Sequence, residues 1–153
     1  MTDRLSFMLP WPPSINHYWR HVSEYTRHKH ISKVLISAQG RAYRETIQKY
    51  FLINKFTPFE SKNLCVDIYA APPDKRRIDL DNRLKPLLDA LQHAGVIEDD
   101  FYINKLSIER CLPMKDGRVL INIYRREYES QNILIGLVDR IQDCIDNESK
   151  CSM

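Results

Sequence analysis

No apolar run in this chain approaches the roughly 20 residues that a membrane span requires. The opening MTDRLSFMLPWPP also lacks the apolar core of a secretory signal. Cys65, Cys111, Cys144 and Cys151 contain no C-x-x-C spacing, so neither a zinc ribbon nor a thioredoxin-type motif is indicated. They read as free thiols in a reducing cytoplasm. His17, His21, His28 and His30 meet no Cys or His spacing that completes a tetrahedral set, which argues against structural zinc. Charge of one sign is missing as well: 23 bases against 20 acids leave a net +3. A soluble, cytoplasmic protein without a membrane segment is the expectation.

What the chain does have is charge spread unevenly. Residues 127–153 hold six acids and two bases, a net −4, which leaves 21 bases and 14 acids, or +7, in residues 1–126. A basic body with an acidic tail suits a nucleic-acid binder, and it equally suits a solvated surface. The length of 153 residues is that of a single domain, and 43% hydrophobic content supports a real core. We expect a main domain over 1–126 and a C-terminal amphipathic helix with an acidic tail over 127–153.

Periodicity predicts the elements. Leu5 to Leu9 reads as a first strand, stopped by Pro10, Pro12 and Pro13. Residues 16 to 33 are polar, aromatic and basic without clear period, and read as a long loop. Ser37 looks like the N-cap of a helix reaching about Ile53, despite Gly40. Leu64, Val66, Ile68 and Ala70 alternate as one face of a strand. Leu84, Leu87, Leu88 and Leu91 form a helical stripe ended by Gly95, with Pro86 placing the helix start only a residue or two before it. Strands then fit Ile103 to Cys111 and Val119 to Tyr124, joined through Asp116-Gly117, a hairpin signal. The order β-α-β-α-β-β predicts an α+β fold, a mixed or antiparallel sheet with helices packed on one face. Ile133, Leu134, Leu137, Val138, Ile141 and Ile145 recur at helical spacing behind Ser130, either packing on the same core or meeting a partner.

The chemistry concentrates in RRIDLDN at 76–82, followed by Lys85 and the pair Asp99 and Asp100. Carboxylate oxygens suit Mg²⁺ or Mn²⁺, and Arg76, Arg77 and Lys85 attract a phosphate, so the cluster suits phosphodiester chemistry. Asp79 and Asp81 share a face if the chain is extended there, and Asp81 and Lys85 share one if a helix follows. Asp-Leu-Asp-Asn is also a helix start, and capping is compatible with metal binding. Of Asp99 and Asp100, adjacent in extended chain, one faces the metal. Between residues 16 and 50, Arg20, Arg27, Lys29, Lys33, Arg41, Arg44 and Lys49 outnumber Glu24 and Glu45 and interleave with Tyr18, Trp19, Tyr25 and Tyr43. Such a pattern can neutralise phosphates and stack on bases.

These motifs resemble the RusA-type Holliday-junction resolvases. The resemblance runs through LPWPPSIN at 9–16, Tyr18 to His21, ISAQGRAYR at 36–44, RRIDLDN with Lys85, LDALQHAG at 88–95 and VIEDDFYI at 96–103. It covers most of residues 4 to 124 in order and leaves the tail after about Glu127 outside. It implies that Asp79, Asp81 and Asp100 bind the divalent metal and that Lys85 supports catalysis without being a ligand. It implies a Mg²⁺-dependent endonuclease, with Mn²⁺ as a substitute, acting as a homodimer on four-way junction DNA without a nucleotide cofactor. Arg20, Arg27, Lys29, Lys33, Arg41, Arg44, Arg76 and Arg77 are the expected DNA contacts. A flap nuclease using the same site, or a structure-selective DNA-binding protein that does not cut, are the competing expectations.

Overall fold

Alternation along the strands sets the sheet. The computed structural model describes residues 4–27, 29–59 and 62–125. Strand β1 (Arg4–Pro10) buries Leu5, Phe7 and Leu9 and turns Ser6 and Met8 outward. A short helix α1 (Ile15–Tyr18) leads into a two-stranded hairpin of β2 (Trp19–Thr26) and β3 (Lys29–Ile36). Helix α2 (Ala38–Ile53), strand β4 (Leu64–Ala71), helix α3 (Asp81–His93), a 3₁₀ turn (Asp100–Tyr102), strand β5 (Ile103–Arg110) and strand β6 (Arg118–Arg125) complete the order. None of the helices among the described residues is long and apolar enough to cross a membrane.

The main sheet is mixed, in the order β1-β6-β4-β5, with β4 and β5 parallel and the other pairs antiparallel. Its inner face carries Leu5, Phe7, Leu9, Leu64, Val66, Ile68, Val119, Ile121 and Ile123. Tyr43, Ile47 and Phe51 of α2 and Leu87, Leu88 and Leu91 of α3 join the same cluster, so both helices lie on that one face. The α+β class and the one-sided helix layer are as the sequence predicts. The expected C-terminal helix lies outside the described residues.

Three expectations change. Residues 19–36 form a hairpin rather than a loop; its strands show no apolar alternation because they pair with each other and with no strand of the main sheet. The Asp116-Gly117 signal makes a tight turn, with φ of 66° and 65°, yet β5 and β6 are not neighbours. Strand β4, buried along most of its length, takes the place between them, and the α3 crossover makes β4 and β5 parallel. Gly117 is required there: a Cβ would stand 2.9 Å from the Cβ of Trp11 and 3.0 Å from Pro73. Finally, α3 begins at Asp81, well ahead of Pro86, which sits inside the helix and is buried. The ring removes one helical donor, and the burial of Leu87, Leu88 and Leu91 around it keeps the helix continuous.

Helix α2 starts as its sequence dictates. The Ser37 hydroxyl accepts the Gly40 N–H at 3.0 Å, an N-cap contact that also leaves Gly40 pressed against α1.

Candidate active site

Strand β4 delivers the chain to the site. Beyond it the buried Pro72 and the partly buried Pro73 turn the backbone out, and Asp74 folds the following loop by accepting the Arg76 N–H at 2.9 Å. The Arg76 guanidinium lies on the same carboxylate, at 2.7 Å from Nη2, so this arginine braces its own loop. That contact holds the Asp74 carboxyl below its ordinary range and the Arg76 guanidinium above its own. Arg110 of β5 donates to the Ile78 carbonyl and ties the loop to the sheet. Arg77 and Asp79 stand exposed between these anchors.

Asp81 occupies the first turn of α3, where a carboxylate suits the helix dipole. Leu80 is the capping residue and makes no side-chain cap bond, so neither Asp79 nor Asp81 is used as a cap. Both aspartates are exposed on the surface of this segment. On the other side of the site, Asp99 accepts the Phe101 N–H at 2.9 Å and starts the 3₁₀ turn, which leaves Asp100 to reach Lys85. The Lys85 ammonium lies 2.8 Å from Asp100 and 3.2 Å from Asp89, one helical turn further along α3. Asp100 chiefly, with Asp89, keeps Lys85 charged to higher pH than a free lysine, and Lys85 holds the Asp100 carboxyl below its ordinary range.

The pairing continues away from the surface. Asp89, only 12% exposed, faces the Arg44 guanidinium of α2 at 3.7 Å. Arg44 Nε donates to the hydroxyl of Tyr18 at 2.6 Å, and Tyr18 is completely buried. The structure thus gives Arg44 to Asp89 and Tyr18. Arg41 in turn donates to the Ile36 carbonyl at 2.8 Å. Arg20, Arg27, Lys29 and Lys33 remain exposed on the hairpin, which also carries the rings of Tyr25 and His30 in tilted contact at 4.5 Å. An open cleft of about 560 Å³ separates this hairpin from α2, bounded by Trp19, Val34, Arg41, Arg44 and His93.

Three further residues carry information that spacing does not reveal. Asp89 belongs to LDAL, where it reads as an ordinary polar position of a helix. Phe101, 82% exposed beside Asp100, presents an aromatic face next to the site. Arg83 projects to the other side of α3, donates to the Pro12 carbonyl at 3.0 Å and lies over the Trp11 ring at 5.7 Å. Burial lowers its pKa, and its Nε is buried with no partner among the described residues.

Whether these side chains suit a metal can be judged from their chemistry. Asp79, Asp81 and Asp100 offer only hard carboxylate oxygens, the donors that Mg²⁺ prefers. Among the described residues, no three His, Cys, Asp or Glu side chains are gathered closely enough to hold one ion. Asp100 is instead engaged by an ammonium, which gives one of its carboxylate oxygens to another cation. The donor set fits in kind, and in the structure the Lys85 ammonium holds one oxygen of Asp100.

Comparison with known proteins adds to this geometry. A family model described as endodeoxyribonuclease RusA matches residues 10–124. The crossover junction endodeoxyribonuclease of Enterobacteria phage HK97 is 39% identical over 125 residues, covering 82% of this chain and 98% of that protein. Its counterpart in Shigella sonnei is 34% identical over 118 residues, or 77% and 92% of the two chains. The protein of the same description from Enterobacteria phage 82 is 34% identical over 115 residues, 75% and 89%.

Proposed function

The chain belongs to the RusA family of crossover junction endodeoxyribonucleases, and on that premise we propose that it resolves four-way DNA junctions by Mg²⁺-dependent, paired phosphodiester hydrolysis as a homodimer. The observation that carries this reading is the contact of Lys85 with Asp100 at the end of α3 that also bears Asp81, with Asp79 just before it. The Lys85 ammonium held against the Asp100 and Asp89 carboxylates suits a reaction in which a metal and a phosphate must meet.

In this reading Asp79, Asp81 and Asp100 hold the metal. When bound, Mg²⁺ supplies a Lewis acid that neutralises phosphate charge and lowers the pKa of a coordinated water. Lys85, released from Asp100, places its ammonium near the scissile phosphate and stabilises the negative charge that builds as the bond to the sugar oxygen breaks. The products carry a 5′-phosphate and a 3′-hydroxyl. Arg77 and the basic side chains of the hairpin hold the backbone, and two sites related by a two-fold axis nick strands of like polarity.

The test incubates labelled four-way junction, flap and linear duplex with and without Mg²⁺, and maps each nick. Symmetric paired nicks confined to the junction are expected, and only with the metal. Preferential cutting of the flap would replace the reading with a branched-DNA nuclease. Tight junction binding without nicks would replace it with a non-cleaving binder.

A further inference from the structure

We propose that Asp89 is a positioning residue that holds Lys85 at the reaction centre, an inference that rests on the reading of Lys85 and Asp100 above. The ammonium has two carboxylate partners, at 2.8 Å and 3.2 Å, and they differ in kind. Asp100 sits on a short 3₁₀ turn, is 32% exposed and belongs to the set that takes the metal. Asp89 is 12% exposed and lies on the lysine's own helix. Behind it stands Arg44, fixed in turn by the hydroxyl of the fully buried Tyr18.

A lysine ends in a compact point charge on a flexible four-carbon stem, so its location depends on its anchor. Once Asp100 is committed to another cation, Asp89 is the remaining carboxylate in contact with that ammonium among the described residues. Arg44 keeps the Asp89 carboxylate from following the lysine outward, because displacement would separate it from a second cation. The chain of contacts from Tyr18 through Arg44 and Asp89 to Lys85 therefore ties the catalytic ammonium to the packed junction of α1, α2 and α3. A plain brace between α2 and α3 would need only the Arg44 contact.

The two roles separate experimentally. Single-turnover cleavage at saturating protein and Mg²⁺ should slow about a hundredfold in Asp89→Asn, the scale of a misplaced catalytic group. Junction affinity, measured in Ca²⁺, should be unchanged. In a Lys85→Met background the same Asp89→Asn change should remove nothing further, whereas a brace would subtract equally in both backgrounds. Without any metal or DNA, in an Asp100→Asn background that leaves Asp89 as the carboxylate in contact with Lys85, the nitrogen-15 signal of the Lys85 ammonium, visible while the group is held from rapid exchange, should persist, and it should vanish when Asp89→Asn is added. Should Asp89→Asn fail to fold, Asp89→Glu keeps the charge but moves it by one methylene, and should slow cleavage while melting normally. A wild-type rate in the folded Asp89 variant, or an ammonium signal that survives loss of Asp89 in the Asp100→Asn background, overturns the proposal. A native protein inert on junctions, or an unimpaired Lys85→Met, overturns instead the reading beneath it.

Discussion

A single charge is the unit at which the candidate chemistry is decided. Asp79→Asn and Asp81→Asn each replace an exposed carboxylate by a neutral amide of the same shape, which under the proposed ligand assignment removes metal affinity and also removes repulsion toward phosphate. Cleavage should be abolished and junction binding kept or tightened; gel-shift and nicking assays on the same preparation check both, and retained cutting in Mg²⁺ would refute the ligand assignment. Away from the site, on the outer face of the sheet, Ser107 donates its hydroxyl to Asp67, and Lys105 lies 3.7 Å from the same carboxylate. The Ser107 contact, against the opposing effect of burial, holds the Asp67 carboxyl below its ordinary range. A depressed folded pKa means stability that is fully present above the unfolded value of about 3.9 and is lost as pH falls through the lower folded value. Ser107→Ala should cost about 1 kcal/mol at neutral pH, with the difference from the native chain shrinking in acid; urea titrations at both pH values measure it. The motif residues of the site were legible because their charge is crowded into a short stretch. Asp89 was not, since its meaning comes from Arg44 on another helix, a contact that no local spacing records.

Elements were legible where one face is buried and illegible where none is. Strands β1, β4 and β6 alternate because their inner residues meet the helix layer, and α2 shows its start in Ser37. The hairpin of β2 and β3 has no such face, so its pairing is written in backbone bonds between the strands and not in side-chain pattern. Neighbour order was the other failure: Asp116-Gly117 specifies a turn, but the pairing of β4 along both its edges, with β5 on one and β6 on the other, decides which strands lie adjacent. Gly40 shows how an apparently weak residue can be obligatory within a helix. A Cβ at this position would lie 2.7 Å from the Tyr18 carbonyl oxygen and 2.8 Å from a methyl of Ile36. Gly40→Ala should therefore destabilise by about 1–3 kcal/mol despite the better helix propensity of alanine. A denaturation midpoint equal to or above that of the native chain would show that α1 yields without cost.

At the scale of the whole molecule, electrostatics divides into charges used internally and charges left for a partner. Arg44 and Arg76 are tied to Asp89 and Asp74, while Arg20 and Lys33 stand exposed on one face of the hairpin, where their registers place them beside Leu35 and Val22. Neutralising either of the latter should lower the slope of log affinity against log salt by about one, uniformly across junction sequences. Fluorescence titration of junction over a salt series measures this, and an unchanged slope for both would remove the hairpin from the binding surface. The pairing of β1 with β6 has its own consequence at this scale. Among the described residues the first strand finds its sheet partner only in the last, so during synthesis the backbone groups of β1 wait unpaired until residue 125 has emerged from the exit tunnel. A nascent chain stalled before that point should be bound by chaperones through its N-terminal strand, and release should coincide with the arrival of β6.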